Sequence, residues 1–304
     1  MLLATGITAG AIVLLFMLPE KYREPSSSLV AVYLLMLFWL SSASLSGNPR
    51  FALWALLVPG LLVATAYAQY RRARGLAEFA QQKGLSFCEE SPEHTLVRFA
   101  QFNIFAEPEI SKTYNLLSGE YREREISAFD CELFVERSKK RQFLGPFGFV
   151  YFGPVQFSVV AATLPASCPS FSIRPEGKLD KLAAAVGLED IDFESDEFSR
   201  KFFVKSKDKK FAYAVVNARV MELVLANPAW LPPPPSGLEC VLRVFRKSVP
   251  LPWRFEIAEN AAVLHSGERW SVAQFKDAIE LLCTFLDLIP AYVWKDLAAQ
   301  KETG

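Results

Sequence analysis

Long apolar runs open the chain, and shorter runs interrupted by polar residues follow them. Three segments within the first 70 residues contain no charged side chain at all. A helix rises about 1.5 Å per residue, so roughly 20 apolar residues cross the hydrocarbon layer of a bilayer. The pattern therefore predicts three transmembrane helices, at about 2–18, 29–47 and 51–69.

After residue 70 the pattern changes to short alternating segments and amphipathic helices. The helical pattern at 73–83 ends at Gly84, a residue that favours a helix C-terminus. Ser271 and Gln274 form a capping box that opens an amphipathic helix. Further helices are predicted at 178–186 and 209–226, and strands at 99–105, 120–135, 155–164, 170–173, 190–194, 238–245, 254–257 and 261–265. Because strands and helices mix without βαβ alternation, we expect an α+β domain with a mixed or antiparallel sheet.

These elements predict three regions along the chain. The first, 1–70, is the helical membrane anchor, and the second, 71–230, is a cytoplasmic α+β lobe. The third, 231–304, is a C-terminal lobe of strands and a helix. The sequence LPPPPSG at 231–237 favours extended polyproline, which predicts a stiff connector between the two lobes.

The distribution of basic residues predicts the orientation. Lys21 and Arg23 follow the first predicted span, and a basic trio, Arg71, Arg72 and Arg74, follows the third, whereas the turn between spans two and three has one basic residue. Basic flanks stay on the cytoplasmic side. We therefore expect a multi-pass protein of the inner (plasma) membrane with its N-terminus outside and its C-terminal domain cytoplasmic. The trio is expected to face anionic lipid, which makes the bilayer a predicted partner.

The composition agrees with a membrane segment joined to a globular domain. The chain is 51% hydrophobic with a mean hydropathy of +0.18. Three of the 33 basic and two of the 33 acidic residues precede Arg71, so the remainder has a net charge of −1. Binding to nucleic acid needs a basic stripe, and none is evident, so no nucleic-acid partner is expected.

The cysteines indicate a reducing environment. They are odd in number, far apart and never in a CxxC pair, which favours reduced and mostly buried thiols. The five are Cys88, Cys131, Cys168, Cys240 and Cys283.

The segment LEDIDFESDEFSRKFF, which starts at residue 188, holds six carboxylates within nine residues and is the densest candidate for chemistry. Asp190, Asp192 and Glu194 align with the first three ligands of a calcium loop. Ser195 then stands where the loop needs glycine, and Lys201 stands where it needs the bidentate glutamate. The calcium template therefore fails at its most demanding positions.

Three interpretations of this segment remain. Ile191 and Phe193 alternate with the acids, which is typical of a half-buried strand with a solvated face. In that case a serine or aspartate caps a short turn and Phe198 points inward. The second is a divalent-ion or catalytic role, for which Asp190, Asp192 and Glu194 are the weak candidates, and the third is a surface that contacts a partner.

Other motifs of common chemistries are absent from the sequence. The chain has two histidines, so neither an HExxH helix nor a histidine-rich metal shell can form. It has no GxSxG elbow and no phosphate-cradling glycine loop that opens a helix. We therefore predict no metal and no cofactor, and we leave open whether the protein is an enzyme, with the balance against it.

Three phrases resemble a family of bacterial membrane-anchored proteins that carry a domain of unknown function. They are SAFDCELF at 127–134, PSFSIRPEG at 169–177 and DIDFESDEFSRKFF at 190–203. The resemblance implies an inner-membrane protein with a cytoplasmic α+β domain. It also implies that one substructure contains Phe171, Arg174, Glu176, Asp190, Asp192, Phe198 and Ser199. Within it, we expect Arg174 to pair with Asp190, Asp192 or Glu176.

The sequence thus favours one function over another. The first hypothesis is a membrane-tethered cytoplasmic module that binds or scaffolds a protein partner. The alternative is a membrane-associated enzyme that uses the carboxylates between Asp190 and Glu197.

Overall fold

The computed structural model describes residues 49–92, 95–105, 110–133, 155–176, 191, 193–231 and 252–302. The chain divides into two compact units, residues 1–75 and 76–304. In the first unit the described residues form one helical segment. The second unit contains all the described strands.

The described residues form helices α1 (Pro49–Lys83), α2 (Asp196–Lys201), α3 (Lys209–Val215), α4 (Ala218–Ala226), α5 (Val272–Asp287) and α6 (Ala291–Glu302). They form strands β1 (Ser86–Glu90), β2 (Ile110–Tyr121), β3 (Arg124–Leu133), β4 (Val155–Pro175), β5 (Phe202–Ser206) and β6 (Arg254–His265). Two 3-10 turns, Val97–Phe99 and Asn103–Phe105, precede β2.

The predicted membrane anchor is contradicted. Among the described residues, no helix is both long and apolar enough to cross a membrane. The spans predicted at 2–18 and 29–47 lie outside the described residues, and the span at 51–69 falls within α1. A lack of charge did not make that segment uniformly apolar, since residues 64–70 read ATAYAQY and include polar side chains. The three-helix anchor and the multi-pass inner-membrane localisation with an outside N-terminus are corrected accordingly.

The end of α1 agrees with the sequence pattern. Gly84 has a φ of +70°, in the left-handed region that favours glycine after a helix. The next backbone N–H, of Leu85, donates to the carbonyl oxygen of Ala80 at 2.9 Å. Leu76 and Phe79, on the last turns of α1, are buried in the core of the second unit.

The α+β domain with an antiparallel sheet is confirmed. The strands run in the order β1-β2-β3-β4-β5, and β6 pairs with β4. All of these pairs are antiparallel. β4 has 21 residues and pairs with β3 along 155–162 and with β5 along 171–175. The two strands predicted within this region are therefore one long strand.

β6 bends sharply near its middle. The strands predicted at 254–257 and 261–265 are its two arms, and both of them pair with β4. Nine extended residues would span about 30 Å, at roughly 3.3 Å per residue. The side chains of Glu256 and His265 nevertheless approach to 3.2 Å. Glu259 lies between them with a φ of 53°, so the strand turns there without leaving the sheet.

The sheet buries a hydrophobic cluster on each face. Alternate side chains of β3 divide between the clusters, with Ile126 and Ala128 in the larger one and Phe129 and Cys131 in the smaller one. α5 covers the larger cluster with eight buried residues. Ser271 opens α5 through a complete capping box with Gln274, as the sequence predicts.

Two elements differ from the sequence pattern for identifiable reasons. The predicted helix at 209–226 is two helices, because Asn217 adopts extended backbone and its side chain caps α4 by accepting from the N–H of Val220. The predicted strand at 99–105 is a pair of 3-10 turns. A 3-10 helix has three residues per turn, which places Phe99, Phe102 and Phe105 together in the smaller cluster.

Candidate functional site

The acidic segment lies on the surface and does not form a cluster for chemistry where it is described. Asp190 and Asp192 lie outside the described residues, and Glu194 is exposed. Glu197 pairs with Lys201 one turn later on α2, at 2.6 Å. The Lys201 ammonium, by hydrogen bond and by charge, lowers the pKa of Glu197. A carboxylate paired in this way is stabilised as an anion and is poorly suited to act as a general base.

Serines and aromatic rings explain the rest of this segment. Ser195 caps α2 by accepting from the backbone N–H of Phe198 at 3.2 Å. The Ser199 hydroxyl accepts from the backbone N–H of Phe193 at 3.0 Å. Ile191 and Phe193 are buried, as their alternation with the acids predicts, although they do not belong to a strand. The described part of the segment is therefore a capped turn over the core.

The residues of the resemblance occupy the ends of β4 and α2. Phe171 and Phe198 are buried in the larger cluster, and the Phe171 ring meets that of Phe255 at 6.3 Å. The Arg174 guanidinium stacks over the ring of Phe203, 4.4 Å from its centroid. The backbone N–H of Glu176 donates to the carbonyl oxygen of Lys201 at 2.9 Å. Pairing of Arg174 with Asp190, Asp192 or Glu176 stays a prediction.

The basic trio lies on α1 in the first unit. Arg71 and Arg74 are exposed, and Arg72 is half-buried. Their contact with lipid stays a prediction.

The buried thiols are not activated as nucleophiles. Burial raises the pKa of Cys168 to about 12 and that of Cys283 to about 11, and it raises the pKa of Cys131 with a further contribution from the Asp130 charge. A nucleophilic cysteine needs the opposite shift. Cys88 is exposed and Cys240 lies outside the described residues.

A buried carboxylate that the sequence did not single out lies at the centre of the sheet. Asp130 on β3 is fully buried. It accepts from the Ser158 hydroxyl at 2.6 Å and from the Asn115 side-chain amide at 2.9 Å. The Nε atom of Arg269 lies 3.6 Å away. We call these four residues the Asp130 network.

The Asp130 network fixes the loop between β6 and α5. The Ser158 hydroxyl accepts from the backbone N–H of Trp270 at 2.9 Å, and the Trp270 indole donates to Ser266 at 2.7 Å. The Arg269 guanidinium lies over the ring of Tyr114 at 5.3 Å. A buried charge with this many partners is a structural centre, and it is enclosed rather than open to a substrate. The sequence signal that could have indicated this network is Asp130 itself, a charged residue at a buried position of strand β3.

One concave surface in the second unit combines charge with apolar side chains. It has a volume of about 520 Å³ and lies where α5 ends and α6 begins. Among its apolar neighbours, Leu286 and Ile289 are buried and Trp294 is half-buried, and Arg124, Arg219 and Asp287 give it charge. We call it the α5–α6 cleft.

The walls of the α5–α6 cleft are held by specific contacts. Asn217, the cap of α4, also donates from its side chain to the carbonyl oxygen of Leu288 at 2.8 Å. Arg124, at the start of β3, pairs with Asp287 at the end of α5. These contacts tie the start of α4 and the start of β3 to the end of α5 and the connection that follows it.

The two arginines of the cleft differ in their pairing. Arg124 is partly covered and shares Asp287 with Arg122. Arg219 is exposed and, among the described residues, has neither a hydrogen bond nor an ion pair. It stands in the first turn of α4, where the helix dipole disfavours a cation. The position therefore does not serve the stability of the helix, and the free guanidinium is available to an anion.

Comparisons with known proteins do not assign the chain to a family. No protein-family model matches it, and no curated protein matches it. A solved structure that is similar is the crystal structure of the mycobacterial trehalose monomycolate transport factor A, TtfA, with a TM-score of 0.42 and 13% identity over 71% of this chain and 93% of that one. A similarity of this size does not identify the function of the chain.

Proposed function

We propose that the protein is a binding module that receives a segment of a partner protein in the α5–α6 cleft. The observation that carries this proposal is Arg219, which lines the cleft together with Trp294, is exposed, and has no partner among the described residues. Aromatic and arginine side chains are enriched in protein interfaces, and they supply much of the binding energy there. Trp294 and the two arginines give the cleft this composition.

The carboxylates and thiols that could act in catalysis are buried, paired or held protonated, which supports binding over catalysis. Asp130 is enclosed by its partners, and the buried thiols are held in the protonated form. In the acidic segment, Glu194 is exposed and Glu197 is paired. The alternative, an enzyme that uses the carboxylates of this segment, therefore has less support than the binding module.

Site-specific photo-crosslinking in cells tests the proposal. Tyr292 lies on α6 next to the cleft with 56% of its surface exposed, and Val97 lies on the opposite face of the sheet with 73% exposed. A photo-reactive phenylalanine at position 292 of the full chain should capture a protein that position 97 does not capture. Addition of Arg219→Glu should abolish the crosslink.

Purified components then give the decisive measurement. The captured protein should bind the wild-type chain and bind the Arg219→Glu chain about tenfold more weakly or worse, which corresponds to about 1.4 kcal/mol. Equal affinity of the two chains would show that the cleft is not the binding site and would overturn the proposal.

A further inference from the structure

We infer that the outer face of the sheet at β5 binds an extended acidic segment of a partner protein. This surface, which we call the basic face, consists of Lys205 on β5, Lys207 directly after it, and Arg174 on the paired strand β4. It shares no residue with the α5–α6 cleft and is therefore a second surface, beyond the one proposed above.

Positive charge is concentrated at this end of the sheet. Residues 200–210 contain six cations and one acid, whereas residues 71–304 as a whole have a net charge of −1. The acid, Asp208, already accepts from two backbone N–H groups at the start of α3. Lys205 and Lys207 are exposed, and neither has an ion pair or a side-chain hydrogen bond within the described part of the chain. An anionic partner therefore meets two cations whose charge no described residue neutralises.

The strand register places the cations in one row. Phe203 on β5 lies opposite Arg174 on β4, and the Arg174 guanidinium stacks on its ring, 4.4 Å from the centroid. The backbone N–H of Lys207 donates to the carbonyl oxygen of Ser170 at 3.2 Å, so the pairing of the two strands continues beyond the end of β5. Side chains two residues apart on a strand share a face and lie about 7 Å apart. Phe203, Lys205 and Lys207 therefore follow one another along one line.

The row lies on the side of the sheet away from the larger cluster. The alternate side chains of β5 are buried in that cluster. On β4, Ser172 pairs with Lys205 on one side and with Glu256 of β6 on the other, so these side chains share a face. The Glu256 carboxylate meets the His265 ring at 3.2 Å and lies two strand spacings, about 10 Å, from Lys205. It therefore leaves the row of cations open to an acid from outside.

An extended acidic segment matches this row in both period and charge. Its alternate side chains share a face and repeat about every 7 Å, which is the spacing of the two lysines. Opposite charges that face each other on neighbouring extended chains stabilise the pairing. A single nucleic-acid strand fits less well, because its bases stack on exposed aromatic faces, and Arg174 covers one face of the Phe203 ring.

Two labelled peptides of the same composition test the match of period. Both are built from glutamate and threonine, with glutamate at every second position in one peptide and at every third in the other. The second arrangement places successive glutamates on opposite faces of an extended chain. Fluorescence anisotropy with the full chain should show about tenfold tighter binding of the first peptide, and added salt should weaken it. Equal affinity for the two peptides would overturn the inference.

Paired charge reversals locate the surface. Lys205→Glu combined with Lys207→Glu should abolish binding of the alternating peptide. Lys112→Glu combined with Lys295→Glu is the matched control and should preserve it, because both lysines are exposed, lie on other elements and have no ion pair within the described part of the chain. Lys205→Gln combined with Lys207→Gln removes the charge without reversing it and should give an intermediate loss. Urea titration of each variant checks that the fold is retained.

Other anionic ligands are tested with the same variants. Retention of the chain on phosphatidylserine vesicles or on a single-stranded oligonucleotide through Lys205 and Lys207, without binding of the alternating peptide, would overturn the inference in favour of that ligand. Loss of binding in the control pair Lys112 and Lys295 would overturn it as well. Arg219→Glu should leave the alternating peptide bound, so failure of the basic face and failure of the α5–α6 cleft are distinguishable.

Discussion

The Asp130 network and the α5–α6 cleft contain the same kinds of group, carboxylates and guanidiniums, in opposite states. The carboxylate of Asp130 is buried, accepts hydrogen bonds from Asn115 and Ser158, and lies 3.6 Å from the Nε atom of Arg269. The guanidinium of Arg219 is exposed and has no partner among the described residues. A buried charge destabilises the fold unless the protein supplies its hydrogen-bond and charge partners, whereas an exposed charge without a partner stays hydrated and costs little free energy. The first arrangement therefore serves the fold, and the second leaves a charge accessible for the binding that we propose.

Removal of the Asp130 carboxylate should produce the largest effect. Asp130→Ala leaves the Arg269 charge, the Asn115 amide and the Ser158 hydroxyl without their shared acceptor. Breaking a buried ion pair by removing one partner costs about 3–5 kcal/mol. The free energy of unfolding of the full chain, measured by urea titration, should fall by about this amount.

Asp130→Asn is the control for size. It keeps the shape and one acceptor oxygen but not the charge, so it should destabilise the fold by less than Asp130→Ala. A loss below about 1 kcal/mol for the alanine variant would show that the network is not a structural centre.

Asn217 has a structural role and also a place at the cleft, since its side chain caps α4 and donates to the carbonyl oxygen of Leu288. Asn217→Ala removes the cap on Val220 and the hydrogen bond to the Leu288 carbonyl. Loss of an N-cap costs about 0.5–2 kcal/mol, which urea titration can measure. Binding of the partner at the cleft should weaken in addition, because the cleft border is no longer held.

Asn227→Ala is a suitable control for the double role of Asn217. Asn227 ends α4, and its side chain accepts from the backbone N–H of Ala229 at 2.9 Å. This change should affect stability and leave binding at the cleft intact. Equal losses of binding in both variants would indicate a general effect of loosening α4.

Glu280 on α5 forms ion pairs with Lys83 and with Arg122 at the tip of the β2–β3 hairpin. We expect its contribution to stability to be smaller than that of Asp130 and to depend on pH. Burial by itself raises the pKa of Glu280. The hydrogen bonds from Tyr121 and Lys83 lower it by more, so that the pKa in the folded protein lies below the ordinary value of 4.5. A carboxylate with a lowered folded-state pKa stabilises the fold above its unfolded-state pKa and loses that contribution as the pH falls through the folded-state value. Glu280→Gln should therefore lower stability at pH 7 and have little effect at pH values below the folded-state pKa.

Asp277→Asn on the same helix provides the comparison for Glu280. Asp277 is exposed and has no ion pair among the described residues. Urea midpoints from pH 7 to pH 3 should show a smaller wild-type-to-variant difference for Asp277→Asn than for Glu280→Gln. Because Glu280 is 38% exposed, water and salt screen its pairs, and high salt should reduce the effect.

Local sequence patterns predicted those parts of the fold that depend on neighbouring residues. The alternation in β3 and the long apolar run of β4 predicted strands, and Ser271 and Gly84 marked helix ends. Hydropathy failed at 51–69, where a segment without charge did not amount to a membrane span. It also failed where one side chain decided the backbone, as Asn217 did by opening a new helix.

Neither the Asp130 network nor the cleft could be found by reading along the chain. Asn115 and Ser158 lie 15 and 28 residues from Asp130, and strand register brings them together. The cleft collects Arg124, Arg219 and the α5–α6 connection from three distant places. The acidic segment attracted notice because its charges are adjacent in sequence; of the carboxylates described there, Glu194 is exposed and Glu197 is paired with Lys201.

Arg219→Glu should produce the smallest change in the free energy of unfolding. The sign of that change distinguishes the cleft from the Asp130 network. A cation in the first turn of α4 opposes the helix dipole, and a carboxylate there favours it, by about 0.3–1 kcal/mol. The variant should therefore be as stable as the wild type or slightly more stable by urea titration, while binding of the partner at the cleft is lost. A stability loss above about 1 kcal/mol would mean that Arg219 holds the fold in the way that Asp130 does. Stability and binding that move in opposite directions on one substitution would show that this arginine is kept for a ligand.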